Sequence, residues 1–149
     1  MTLVVVWLHV LAVIVWIGGL MYQTHVLLPA ARRGGAAAFV EAARRGRRAT
    51  WTAIAVVVLT GFYNVTQLGP VERVMHSGVG LMVAGKFILV IAAVTIAGQR
   101  DFAHLARLGR AVGGAEDPAP ILRGIAVMDR AVLTLALVIV YLGLAISRA

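Results

Sequence analysis

Long apolar runs alternate with short basic segments along this chain, and the first run is the longest. No charged residue occurs between Met1 and Ala31, a stretch longer than the roughly 20 apolar residues that a helix needs to cross a bilayer. Apolar runs with few charges cover about residues 50–68, 78–99 and 121–147. With a first span at about residues 2–28, the pattern predicts one all-α domain over residues 1–149, an integral membrane up-down four-helix bundle.

Arginines are distributed unevenly among the connections, and this distribution predicts the orientation. The connection after the first span carries six arginines and the one after the third carries Arg100, Arg107 and Arg110, whereas only Arg73 lies between the second and third spans. Because basic connections stay in the cytoplasm, we predict both termini on the outer side of the cell (inner) membrane. Pro29 is expected to end the first span, and the alanine-rich connection after it is expected to be helical beyond the bilayer edge.

The composition supports a membrane protein and restricts its chemistry. The chain is 61% hydrophobic and 13% charged, with a mean hydropathy of +0.93, whereas soluble domains carry about 25% charged residues. The net charge of +8 comes from arginines beside the apolar runs, so we expect lipid headgroups, not nucleic acid, as partners. Cysteine is absent, which excludes disulfides, thiolate metal sites and the covalent attachment of a c-type haem.

An imidazole interrupts the first apolar run, and this residue, His9, is the first candidate for a functional site. A polar ring in hydrocarbon must find partners, and we favour a metal over a bond to a neighbouring carbonyl oxygen. At about 1.5 Å per residue, His9 lies roughly 10 Å and Lys86 roughly 12 Å below the outer surface. His76 is expected at the outer mouth and Met82 one turn from Lys86. The outer half of the bundle is therefore expected to gather these side chains.

The remaining candidates are two histidines and a tryptophan. His25 and His104 are expected near the cytoplasmic interface, where they would hold a second haem in an extension of the same hypothesis. Trp16 follows His9 by seven residues, which places it on the same helix face two turns deeper. There it would be suited to packing on a macrocycle.

Small and charged residues near these positions have two interpretations each. Glycines either make room for a haem or allow close helix packing; the relevant ones are Gly18, Gly19, Gly61, Gly78, Gly80 and Gly85. Asp129 and Arg130 lie near the inner end of the last span. We expect them to form a structural or interfacial pair and not a proton relay.

Two short motifs resemble a known family of membrane proteins. The sequences LHVLAVIVWIGGLMY in the first span and GKFILV in the third resemble the copper-resistance-protein-D-like group and the related HemJ-type protoporphyrinogen IX oxidases. In that family a His is followed by Trp-x-x-Gly, and a later helix carries a Lys before a Leu-Val run. The matching residues here are His9, Trp16, Gly19 and Lys86. The resemblance implies haem b, with His9 as an axial ligand and Lys86 as the second ligand or a propionate partner.

Three functional hypotheses follow. The first is a b-type haem protein for electron transfer or small-substrate redox chemistry, with a quinone or porphyrin-like substrate as the expected partner and non-covalent haem held by His9 and either His76 or Lys86. A protoporphyrinogen oxidase-like enzyme is one form of it. The second is a copper-binding or copper-transport protein that uses Met75, His76, Met82 and His9, because thioether and imidazole groups suit Cu(I). The third is a non-catalytic membrane subunit. A homodimer that completes the site is compatible with each.

Overall fold

The computed structural model describes residues 2–67 and 78–148, and these residues are helical except at 67 and 113–117. Three helical stretches are long and apolar enough to cross a membrane: Leu3–Thr66, Gly80–Val112 and Pro118–Ile146. Many of their large apolar side chains are exposed, as expected for surfaces that face lipid. These findings confirm the all-α class for the described residues, and they support a membrane protein.

Five α-helices of at least two turns make up most of the described chain, and π-helical turns extend two of them. They are α1 (Thr2–Tyr22), α2 (Ala36–Thr66), α3 (Gly78–Gly98), α4 (Leu105–Val112) and α5 (Pro118–Arg148). Between α1 and α2 lie the π-helical segments Gln23–Leu27 and Ala31–Gly35 with one α-helical turn, Leu28–Ala30, between them. The π-helical segment Gln99–His104 joins α3 to α4.

The first helix does not end at Pro29, contrary to the sequence-based expectation. Proline lacks an N–H group and its ring collides with the carbonyl four residues earlier, but the wider π-helical segment before it accommodates both effects. The chain turns instead at Arg33 and Gly34, where Gly34 has φ 110° and ψ −4°. The polar connection after this turn is helical, as predicted, because α2 begins at Ala36.

Replacing Gly34 with alanine is expected to destabilise this turn. A side chain at φ 110° costs about 1–3 kcal/mol, because only glycine adopts left-handed backbone conformations freely. Gly113 is the matched control, since a Cβ there would meet no atom within 4 Å and its φ is −97°. Denaturation in detergent should therefore give a lower free energy of unfolding for Gly34→Ala than for Gly113→Ala. Equal stabilities would contradict the expectation.

The chain folds back so that α1 and α2 run antiparallel. The His9 ring contacts Thr60, and the Gln23 side chain lies near Gly46. The order of the contacts is therefore reversed along the two helices. The same reversal relates α3 to α5, because their contacts pair Lys86 with Gly143 near one end of the molecule and Arg100 with Asp129 near the other.

Contacts between α2 and α3 also run in opposite order. The rings of Phe62 and Phe87 meet edge to face with centroids 6.3 Å apart, and Gly98 lies against the Trp51 ring. One apolar cluster then joins all four long helices through Trp16, Val57, Ala93 and Val132 with their neighbours. This cluster separates the end that holds His9 and Lys86 from the arginine-rich end, hereafter the basic end.

A second apolar core lies at the basic end. It joins α4, the first turns of α2 and the first turns of α5, and its members include Leu28, Phe39, Leu108 and Ile125. Phe39 is 2% exposed and Leu108 is fully buried. The polar connections at the basic end are therefore packed against one another, and this packing fixes the adjacent ends of the long helices.

Candidate functional site

The His9 ring is positioned by two residues of α2. Its Nδ1 lies 2.8 Å from the hydroxyl oxygen of Thr60, and that hydroxyl donates its hydrogen to the carbonyl oxygen of Val56. Gly61 makes room for the ring, because a Cβ there would lie 3.3 Å from His9 Cε1. The ring itself is half-buried. The side chain is therefore oriented by a specific hydrogen bond and remains accessible from one side.

Lys86 lies near the same end of the molecule and its side chain reaches toward α5. A Cβ at Gly143 would lie 3.1 Å from Lys86 Nζ, so the glycine leaves space for the ammonium group. The next residue, Phe87, packs on Phe62 of α2, which follows Gly61 at the His9 ring. Within residues 2–67 and 78–148, no carboxylate forms an ion pair with Lys86. Two of the four residues that carry the family resemblance therefore lie at the same end of the molecule.

The copper hypothesis rests on residues that the structure describes only in part. Met75 and His76 lie outside the described residues, and the Met82 side chain is 41% exposed. In the described part of the chain, no group of three or more His, Asp or Glu side chains is arranged to hold a metal ion.

The second histidine pair makes separate contacts. His25 is exposed, and its Nδ1 lies 3.0 Å from the Met21 carbonyl oxygen of its own helix. His104 instead packs against α5, where a Cβ at Gly124 would lie 3.4 Å from its ring. Each ring therefore has a local partner, and neither contacts the other.

Trp16 is a core residue in the structure. It is 6% exposed and belongs to the apolar cluster that joins the four long helices. It lies on the face of α1 that also carries His9 and Gln23, since these residues are seven positions apart. This face therefore connects the end that holds His9 with the basic end.

A buried polar cluster at the basic end was not predicted from the sequence. Arg100 donates hydrogen bonds to three groups: its Nε to Asp129 Oδ1 at 2.9 Å, its Nη1 to Asp101 Oδ1 at 2.6 Å and its Nη2 to Gln23 Oε1. The indole N–H of Trp51 donates to Asp101 Oδ2 at 3.0 Å. We call Gln23, Trp51, Arg100, Asp101 and Asp129 the Arg100 cluster.

Burial sets this cluster apart from the other ion pairs. The side chains of Arg100 and Asp129 are 8% and 1% exposed, whereas the Arg107–Glu116 pair is 61% and 43% exposed. The guanidinium of Arg100 also lies 5.9 Å from the Phe39 ring centroid. Desolvated charges of this kind are retained only when hydrogen bonds satisfy them. The cluster therefore fixes the relative positions of α1, α2, α3 and α5.

The expected Asp129–Arg130 pair is wrong, because Arg130 is exposed and the partner of Asp129 is Arg100. The two aspartates and Arg100 were recognisable as polar residues at the ends of apolar runs. A helical wheel also puts Gln23 on the inward face of α1, in line with His9 and Trp16. This alignment was the one sequence signal that could have indicated the cluster.

Comparisons with known proteins do not assign the chain to a family. No protein-family model matches the chain, and no curated protein or solved structure matches it either. The function is therefore inferred from the side chains of the chain itself.

Proposed function

We propose that this chain is a b-type haem protein of the cell membrane and that His9 is an axial ligand of the haem iron. The observation that supports this most directly is the bond between His9 and Thr60. A histidine that binds a metal usually donates its other ring N–H to a fixed acceptor, which sets the tautomer and the ring orientation. His9 has such an acceptor within the apolar part of the chain.

The hydrogen bonds around His9 support one free ring nitrogen. When the Thr60 hydroxyl gives its hydrogen to the Val56 carbonyl, its oxygen accepts a hydrogen from His9 Nδ1. The proton of a neutral ring is then on Nδ1, and the lone pair is on Nε2. This is the form of imidazole that binds iron.

The cation at the same end of the molecule also supports the haem proposal, and glycines make room for both side chains. Glycines lie against the polar ends of both side chains, Gly61 against the His9 ring and Gly143 against the Lys86 ammonium. Lys86 is the second ligand or the partner of a haem propionate, and His76 is the alternative second ligand. A bound haem would supply one-electron transfer between a redox partner and a quinone or porphyrin-like substrate. The resemblance of His9, Trp16, Gly19 and Lys86 to the HemJ-type motifs supports the same assignment.

The proposed topology is a four-span up-down bundle with both termini on the outer side. The reversed order of contacts between α1 and α2, and between α3 and α5, supports the up-down arrangement. The concentration of arginines at one end supports the orientation. His9 and Lys86 would then lie in the outer half of the cell membrane.

Visible absorption of the purified protein tests the proposal. We expect a Soret band and, after reduction, an alpha band; both should disappear in His9→Ala and persist in His104→Ala, because His104 lies at the basic end. A colourless wild-type protein that binds Cu(I) would overturn the haem proposal in favour of copper. A colourless protein that binds neither haem nor Cu(I) would favour the third hypothesis, a non-catalytic membrane subunit.

Thr60→Val tests the role of the orienting hydroxyl. This substitution keeps the shape of the side chain but removes the acceptor for His9 Nδ1, and loss of such a partner typically weakens binding by about 10–100-fold. Thr95→Val is the matched control, because Thr95 is exposed on α3 and bonds only its own helix at Ile91. Haem titration should show weaker binding for Thr60→Val alone. Equal affinities would contradict the orienting role.

A further inference from the structure

The Arg100 cluster contains more carboxylates than cations. One guanidinium serves Asp101 and Asp129, so the cluster carries one uncompensated negative charge if both carboxyl groups are ionised. We propose that Asp129 is a proton-binding site, which holds a proton inside the molecule and exchanges it with water at the basic end. This inference does not depend on the haem proposal.

Asp101 has the hydrogen bonds of an ionised carboxylate. Its Oδ1 accepts from Arg100 at 2.6 Å and its Oδ2 accepts from the Trp51 indole at 3.0 Å. Both oxygens act as acceptors, which is the pattern of the charged form. The positive charge of Arg100 is therefore matched by Asp101.

Asp129 has a different pattern. Its Oδ1 accepts from Arg100 Nε at 2.9 Å, whereas its Oδ2 has no hydrogen-bond partner among the described residues, although the residue is only 1% exposed. A buried carboxylate oxygen without a donor is costly. In the protonated acid one oxygen accepts and the other donates, so Oδ2 is the position for the proton.

The Thr24 hydroxyl lies beside the Asp129 carboxyl group. Its single hydrogen is shared between two acceptors, the Leu20 carbonyl oxygen at 2.8 Å and the Asp129 carboxylate. When that hydrogen goes to Leu20, the Thr24 oxygen can accept the proton of a protonated Asp129.

A small cavity next to Asp129 admits one water molecule. Its volume is about 20 Å³, and Gln23, Thr50, Arg100 and Asp101 are also among its lining residues. A single water requires about 10–15 Å³, and a hard metal ion requires several oxygen ligands around it. The size of the cavity and the single unpartnered oxygen therefore favour a proton over a metal ion.

Asp101 connects this cavity to the surface of the basic end. It also lines a wider depression of about 370 Å³, whose other walls include Arg44 and Arg47. The polar groups that face Asp129 are of two kinds. Gln23 and Thr24, which follow α1, do not titrate, whereas Arg100 and Asp101 are charged. The proposed route for proton exchange runs from this depression past Asp101 to the small cavity.

Infrared or NMR spectra of protein with ¹³C-carboxyl-labelled aspartate in lipid bilayers test the proposal. The chain has three aspartates, Asp101, Asp117 and Asp129. We expect one protonated carboxyl signal at neutral pH that shifts in D₂O and is lost as the pH rises. It should be absent in Asp129→Asn and present in Asp117→Asn, the matched control at the surface.

Two results would overturn the proposal. The first is a wild-type spectrum with all three aspartates ionised at neutral pH, which requires no variant and so remains decisive if Asp129→Asn does not fold. The second is a protonated signal that persists in folded Asp129→Asn. Because the measurement needs no haem, a colourless protein with the protonated signal would separate this inference from the haem proposal.

Discussion

Arg100→Met is expected to lower the free energy of unfolding by about 3–5 kcal/mol, because it removes the cation from a buried charge cluster. The Arg100 side chain is 8% exposed and donates hydrogen bonds to Asp101, Asp129 and Gln23. Methionine has a similar length but leaves the Asp101 carboxylate buried without its counter-charge. Unfolding by steric trapping or by detergent titration of protein in micelles measures the change.

Arg107→Met is the matched control. Arg107 also forms an ion pair, with Glu116, but its side chain is 61% exposed, and exposed pairs contribute less than about 1 kcal/mol. A double variant tests whether the unpaired Asp101 carboxylate causes this loss, since adding Asp101→Asn to Arg100→Met removes the unpaired charge. We expect this double variant to recover part of the lost stability. Similar losses for Arg100→Met and Arg107→Met would show that the cluster does not stabilise the fold.

The helical spans and their membrane character were predictable because the signal is local. A run without charge from Met1 to Ala31 allows hardly any structure other than a helix in lipid. The helical connection from Ala36 was predictable for the same reason, since alanine and arginine are strong helix formers. Local signals of this kind do not depend on which helices are neighbours.

The polar cluster was not predictable because its partners are distant in the sequence. Arg100 lies next to an apolar run, and in the sequence its charge predicts only which side of the membrane this connection occupies. In the structure it is buried between Gln23, 77 residues away, and Asp129, 29 residues away. Pairings over such distances follow from the packing of the helices, which single-helix patterns do not specify.

His9 and Lys86 illustrate an intermediate case. Their depths along the helices indicate that both lie toward one end of the molecule, and the contact between Phe62 and Phe87, which follow Gly61 and Lys86 in the sequence, places both side chains at that end. The contacts that orient them were beyond the sequence, because Thr60 and Gly143 are ordinary residues in apolar segments. The polar residue can be recognised from the sequence, but its hydrogen-bond partner cannot.

Phe39→Ala is expected to cost about 3–5 kcal/mol of unfolding free energy, the usual range for a buried phenylalanine. Phe39 is 2% exposed in the core at the basic end. Exposed charged residues such as Glu41 and Arg45 lie next to this core, so we expect it to be outside the bilayer, where apolar burial stabilises it as in a soluble protein. The variant also removes the ring that lies 5.9 Å from the Arg100 guanidinium.

Phe62→Ala separates burial in this core from the contacts of a lipid-facing ring. Phe62 is 63% exposed, and its ring meets the Phe87 ring edge to face with centroids 6.3 Å apart, a contact of about 0.5–1.5 kcal/mol. Its truncation in lipid exposes no apolar surface to water. We therefore expect Phe39→Ala to destabilise the protein by several times as much as Phe62→Ala, measured by the same unfolding titration. Equal losses of unfolding free energy in the two variants would contradict a packed core at the basic end. The Arg100 cluster would then not be held in place by packing against this core.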